Sequence, residues 1–295
     1  MIKKIHFIGI GDPILSQLAI AIHTIYQISS SDTVIKETIG QNLATFHLLP
    51  EENGWFPEKL HAGIDAIILG KNISIDNPEL LRAKALGLKI YSYPEFIYEL
   101  SSDKQRIIVA GNHHRKTFLK LISHVLDFHK KSVNFFTFQR VSISEEAPVI
   151  IIEAEENVVS PLRRQPAFMF YQHHAAVFCG LSWEKSADYH TFEQYVKAFD
   201  VLADSTPKSG LLIYNEEDDL LAVIGKKERE DVTALGYQLG EPKDSKNFIK
   251  SADTNISVHF LGEENRHVIL GAKTLLAKLG ITDEAFYQAI ETFEV

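Results

Sequence analysis

Short, mostly apolar runs alternate with longer amphipathic stretches from one end of this chain to the other, and that rhythm excludes most fold classes. Runs of this length suit strands covered on both faces, and the stretches between them suit crossover helices, the signature of parallel βαβ units. Residues 5–10 predict a strand, Gly11 a turn, and residues 14–25 a helix. Residues 64–69 predict a second strand between Gly63 and Gly70. Asn77 then predicts a helix cap, with Pro78 and Glu79 in the first turn and Gly87 as the stop, followed by a strand over 88–91. The polar residues 101–104 separate two complete patterns, so the expected domains are 1–102 and 103–295. In the second, residues 106–110, 149–152 and 175–178 predict strands, and 116–129, 192–203, 265–279 and 283–293 predict helices. The expected class is α/β, with mainly parallel sheets in both domains.

Composition narrows the function classes. The 30 Lys and Arg against 39 Asp and Glu give a formal charge of −9, opposite to the cationic surface that nucleic-acid binding needs. No stretch reaches the roughly 18 uninterrupted apolar residues of a membrane span. The apolar stretch after Lys3 and Lys4 is broken by Asp12-Pro13, which suits a strand, turn and helix better than a leader. A single cysteine, Cys179, leaves no internal disulfide, fits a reducing compartment and reads as a buried strand-end thiol. The expectation is a cytoplasmic protein with neither nucleic-acid nor membrane partners.

Two strand–turn–helix junctions carry the chemical interest. At the first, Gly9 and Gly11 would let the backbone approach a diphosphate at a helix N-terminus, and Asp32 follows about 20 residues on, where such folds often place an acid on a ribose. Asp12, however, would repel a phosphate and is itself able to cap the helix. Both readings of this loop, ligand cradle and self-capped turn, stay open. The second junction is Gly111-Asn112-His113-His114-Arg115-Lys116-Thr117. Only Gly111 and the Lys116-Thr117 pair are in keeping with a P-loop, which needs glycine beside its lysine and then Ser or Thr for magnesium. Adjacent histidines rarely converge on one ion, so His113 and His114 predict no metal site.

Several ordered segments are similar to those of the Mur ligases, ATP-dependent enzymes that join amino acids or peptides to UDP-N-acetylmuramate, and most of all to their murein-peptide-adding and L-alanine-adding branches. They include HFIGIG (6–11), LLPEENGWFPEKL (48–60), ILGKNISIDNPELLRAKALGLKIYSYPEFIYE (68–99), APVIIIEAEE (147–156), YQHH (171–174) and LADSTPKSG (202–210). The resemblance implies a Rossmann-like UDP-sugar-binding domain over 1–102 and a shortened central ATPase-type domain over 103–295. It also implies that the C-terminal ligase domain is absent beyond residues 292–295.

The departures from the family pattern are as informative. Laid without a gap on the family's AG-T/S-HGKTT loop, its glycine becomes His114, its phosphate-binding lysine Arg115 and its magnesium-holding threonine Lys116. A one-residue slip would restore Lys116-Thr117 but turn the helix face behind it. The acidic strand end similar to E-x-D-E-Y is kept as Glu153-Ala154-Glu155-Glu156, whereas a metal-binding histidine becomes Lys185. In the motif near the nucleotide base, Glu264 replaces a histidine and Asn265 is kept. Lysines at positions that would face magnesium suggest that Lys116 and Lys185 pair with Glu155 or Glu156 as internal cations, with drift as the alternative.

Two functional readings follow. In the first, the chain is a non-catalytic homologue with no catalytic residue, metal or cofactor, working in peptidoglycan synthesis or recycling through a UDP-muramyl ligand or a full-length Mur ligase. In the second, it is an active ligase that would need ATP and Mg²⁺. The altered motifs favour the first.

Overall fold

The computed structural model describes residues 3–238, 248–251, 254–257 and 263–294. The elements begin with β1 (Lys4–Ile8), α1 (Pro13–Ile22), β2 (Gln27–Ser31), α2 (Glu37–Thr45), β3 (Ala66–Leu69), α3 (Pro78–Ala85), β4 (Lys89–Ser92) and α4 (Tyr93–Leu100). They continue with β5 (Gln105–Ala110), α5 (Arg115–Phe128), β6 (Asn134–Phe136), β7 (Val141–Ser142), β8 (Val149–Glu153), β9 (Ala175–Phe178), α6 (Phe192–Asp204) and β10 (Leu211–Asn215). Last come α7 (Asp219–Lys226), β11 (Thr233–Tyr237), β12 (Phe248–Ser251), β13 (Thr254–Ser257), α8 (Glu263–Lys278) and α9 (Asp283–Ile290). The class is α/β with mainly parallel sheets, as the alternation predicts. No helix among the described residues is long and apolar enough to cross a membrane.

The chain divides into two compact units. The first holds residues 1–103 but also 134–145 and 157–171, so the second, which begins at 104, is not the continuous stretch expected from 103 onward. The reason is packing. Phe136 of the β6–β7 hairpin lies 5.9 Å from the Tyr93 ring, and the 3-10 turn Ala167–Phe170 packs on α4.

The first unit carries a four-stranded parallel sheet in the order β2-β1-β3-β4. Its core gathers Ile8, Ile67, Leu69, Leu60, Ile64, Ile73 and Leu80 in one buried cluster. Helix α3 starts as its sequence dictates: Pro78 needs no amide donor, and the Asn77 side chain accepts from the amides of Glu79 and Leu80 at 2.9 and 3.1 Å. Asn77→Ala orphans both amides and is expected to lower stability by about 1–2 kcal/mol in urea unfolding.

In the second unit, strands β11-β10-β9-β5-β8 run parallel in that order. Helix α5 packs against α8 and α9, where His124 and His129 meet the carbonyl oxygens of Ala289 and Ala285. Both P-loop-like and acidic segments leave adjacent strands, since β5 pairs with β8 from Gln105–Val149 to Val109–Glu153. That pairing brings the end of β8 beside the first turn of α5.

Candidate functional site

At the first junction the loop is occupied by the chain's own carboxylates. Asp12 is the N-cap of α1, its Oδ1 accepting from the Ile14 amide at 3.0 Å. Asp32 reaches back so that Oδ2 accepts from the Gly11 amide at 2.8 Å and Oδ1 from Val34 at 3.2 Å. The amides of Gly9 and Ile10 donate to the Ser31 carbonyl at 2.9 and 3.2 Å. A Cβ on Gly11 would stand 2.6 Å from the Val34 oxygen, so internal packing alone requires glycine there. Of the two readings of this loop, the geometry is that of the self-capped turn.

At the second junction the loop is pinned to the segment after β9. Gly111, at φ +100°, lies against Gly180 so closely that no Cβ would fit. The amides of Asn112 and His113 both donate to the Gly180 carbonyl, at 3.1 and 3.4 Å, and the Asn112 amide group exchanges two hydrogen bonds with Ser182. His114 is the N-cap of α5 in the left-handed conformation, φ +58°, which is glycine's territory. This supports the ungapped alignment: the backbone keeps a glycine-type turn while an imidazole stands on it, 3.8 Å from the His113 ring.

The next residue shows where the sequence expectation needs correction. The cation on the acidic strand end is Arg115, neither Lys116 nor Lys185. Its Nε donates to Glu153 Oε1 at 3.1 Å, and its Nη1 donates both to the Ala154 carbonyl and to Glu156 Oε2, each at 3.0 Å. The side chains are nearly closed to solvent, 15% exposed for Arg115, 9% for Glu153 and 13% for Glu156. Burial opposes the guanidinium charge, but the carboxylates of Glu156 and Glu153 outweigh it and raise the pKa above the ordinary arginine value. Lys116 fails to join because consecutive helical residues diverge by about 100° around the axis. It is exposed, as is Lys185, and neither makes an ion pair among the described residues. Glu155 is buried beside the clamp, and Thr117 is half-buried on α5. Asn265 is half-buried near the start of α8, whereas the side chain of Glu264 lies outside the described residues.

Burial pushes the Cys179 thiol up to about 12, and its Sγ–H meets the Ala110 carbonyl at 3.1 Å, in keeping with the buried strand-end thiol read from sequence. Tyr189 donates its hydroxyl to the Glu156 carbonyl at 2.5 Å. No group of three or more His, Cys, Asp or Glu side chains able to hold a metal occurs among the described residues.

A polar cluster in the first unit is not among the residues singled out from the sequence. Glu79 is fully buried, and its Oε1 accepts from the Phe56 amide at 2.6 Å. Oε2 accepts from the Ser31 hydroxyl and faces His6 Nε2 at 3.4 Å, while His6 Nδ1 meets the Ser29 hydroxyl at 2.8 Å. Burial would raise the Glu79 pKa, but hydrogen bonds from His6, Ser31 and Phe56 prevail and hold it below the carboxylate norm. His6 and Ser29 also line a cavity of about 430 Å³ with Lys4, His47, Lys59 and His61. The available signal was a histidine among apolar neighbours in a buried strand and an acid in the first turn of a capped helix.

No family model matches the chain. It is 27% identical over 317 residues to the UDP-N-acetylmuramate–L-alanine ligase of Aquifex aeolicus, an alignment covering 99% of this chain and 66% of that protein. It is 26% identical over 323 residues to the enzyme of the same name from Variovorax paradoxus, covering 99% and 63%. The chain thus spans about two thirds of the length of these curated relatives. Among solved structures, it superposes on UDP-N-acetylmuramate:L-alanyl-γ-D-glutamyl-meso-diaminopimelate ligase from Neisseria meningitides with a TM-score of 0.81 at 18% identity, covering 100% of this chain and 99% of that one. The UDP-N-acetylmuramate–alanine ligase of Thermotoga maritima gives 0.68 at 16% identity, covering 98% and 68%. At these identities the structural likeness establishes the fold.

Proposed function

We propose that this chain, which belongs to the Mur ligase family, serves peptidoglycan synthesis as a binding protein and does not itself carry out ATP-dependent ligation. The observation that carries this reading is the closed second loop. The amides of Asn112 and His113 are spent on the Gly180 carbonyl, and an imidazole occupies the turn where close approach to phosphates needs glycine. The residues present do not suit magnesium–ATP either, because an ammonium such as that of Lys116 has no lone pair to offer a metal. Of the two partners that the sequence leaves open, the first loop favours a protein, a ligase of the chain's own family, over a UDP-muramyl ligand. Asp12 and Asp32 place two carboxylates on the amides that a diphosphate would use.

Calorimetric titration of the whole chain with ATP, with and without Mg²⁺, tests the reading. No heat is expected in either case, and no phosphate release with UDP-N-acetylmuramate and L-alanine. Magnesium-dependent micromolar binding accompanied by turnover would overturn it in favour of the active ligase. Heat on titrating UDP-N-acetylmuramate alone would instead replace the protein partner with a sugar-nucleotide ligand.

A further inference from the structure

We infer that Arg115 is a resident cation, a permanent internal substitute that closes the acidic end of β8 to divalent metal. The argument starts from the donor set. Two carboxylate oxygens, from Glu153 and Glu156, and one main-chain oxygen, from Ala154, converge on a single guanidinium within 3.1 Å. Hard oxygen donors of this kind, anionic carboxylates with a carbonyl, are what magnesium, manganese and calcium prefer. Here the positive charge is supplied covalently by the first residue of α5, so the carboxylates are neutralised in part without any ion from solution.

The competing cations, Lys116 and Lys185, are both exposed and make no ion pair among the described residues. The other titratable groups facing the clamp add no positive charge. Cys179 is held as a neutral thiol, and burial raises the Tyr189 and Tyr195 pKa values further from neutrality. A buried carboxylate pair stripped of its cation is strongly destabilising. Arg115 therefore cannot leave to admit a metal without a large cost, and the wild-type chain is indifferent to divalent ions at this place. The inference deepens the non-catalytic reading, on which it rests for its biological sense, but the two fail separately: magnesium–ATP binding by the wild type sinks that reading, whereas the manganese response of Arg115 variants decides this one.

The test is manganese binding by the full chain, followed by paramagnetic resonance and by thermal unfolding at matched ionic strength. Wild type is expected to show no manganese-dependent rise in Tm. Arg115→Met, apolar and of similar reach, should unfold at lower temperature and recover with manganese but not with the same ionic strength of sodium chloride. Its affinity should exceed that of wild type by at least about tenfold, or 1.4 kcal/mol. Adding Glu156→Gln should abolish the gain. Should Arg115→Met not fold, Arg115→Gln retains a hydrogen-bond donor for the carboxylates and is expected to show the same gain. A folded Arg115 variant that ignores manganese, or a wild type that binds it through Glu156, overturns the inference.

Discussion

Glu79→Ala is expected to destabilise the first unit by about 3–5 kcal/mol, the scale seen when one partner of a buried, hydrogen-bonded charge network is removed. The carboxylate is fully buried and serves donors from His6, Ser31 and the Phe56 amide. Truncation leaves all three donors without their acceptor. Glu79→Gln keeps the shape and one acceptor oxygen, so its cost should be smaller, about 1–3 kcal/mol. The two tryptophans divide between the units, Trp55 in the first and Trp183 in the second. Urea unfolding followed by Trp55 in a Trp183→Phe background therefore isolates the effect. The sign of the pH dependence also follows. A carboxylate held below its unfolded pKa lends its full stability above that unfolded value and loses it as pH falls through the lowered folded one. Wild type should therefore lose more on acidification than Glu79→Gln. A Glu79→Ala cost below about 1 kcal/mol would mean that the network contributes specificity of packing but little stability.

The parts of the fold that the sequence shows clearly are those where burial on both faces leaves a mostly apolar run. Strands β3 and β9 have every residue buried, and β1, β5 and β8 all but the first. Strand β2, QISSS, pairs only with β1 and buries fully only Ser31, so its sequence carries neither alternation nor an apolar run. Helix α2 buries Leu43 alone and is equally silent. Strand β10 has the apolar signal, Leu211–Tyr214 after Gly210, and is missing from the elements read from sequence although nothing hides it. The return of residues 134–145 and 157–171 to the first unit rests on contacts such as Tyr93 with Phe136, which no local pattern encodes.

The candidate site divides in the same way. That the second loop departs from a phosphate cradle is legible residue by residue, because each departure changes a charge or removes a glycine. Which cation would meet the acids is not. That depends on the rotation of the first turn of α5, which begins one residue earlier than the periodicity predicts and so aims Arg115 at β8. The two loops nonetheless follow one physical rule. Each is filled by an internal group bearing the sign of the ligand it would otherwise take, carboxylates at the N-terminus of α1 and a guanidinium among the acids of β8.

Mild acid should weaken the second unit through one imidazole. His173 is 1% exposed, and its Nε2 meets the Thr206 hydroxyl at 3.0 Å. Burial, reinforced by His174 and Arg106, lowers its pKa from 6.5 to about 4. His174 moves the same way, through burial and Arg106, whose amide donates to its Nδ1 at 3.0 Å. A histidine kept neutral in the folded state binds a proton only after unfolding between those two values. The unfolded chain is therefore favoured as pH falls below 6.5, the loss levels off near 4, and nothing is contributed above 6.5. The full penalty for His173 is about 3 kcal/mol. Urea midpoints read from Trp183 in a Trp55→Phe background should fall across this window in the wild type. In His173→Gln, which keeps a polar partner for Thr206 but cannot take up the proton, they should fall much less. Parallel acid limbs in the two proteins would assign the proton uptake to another group and return His173 to a packing role alone.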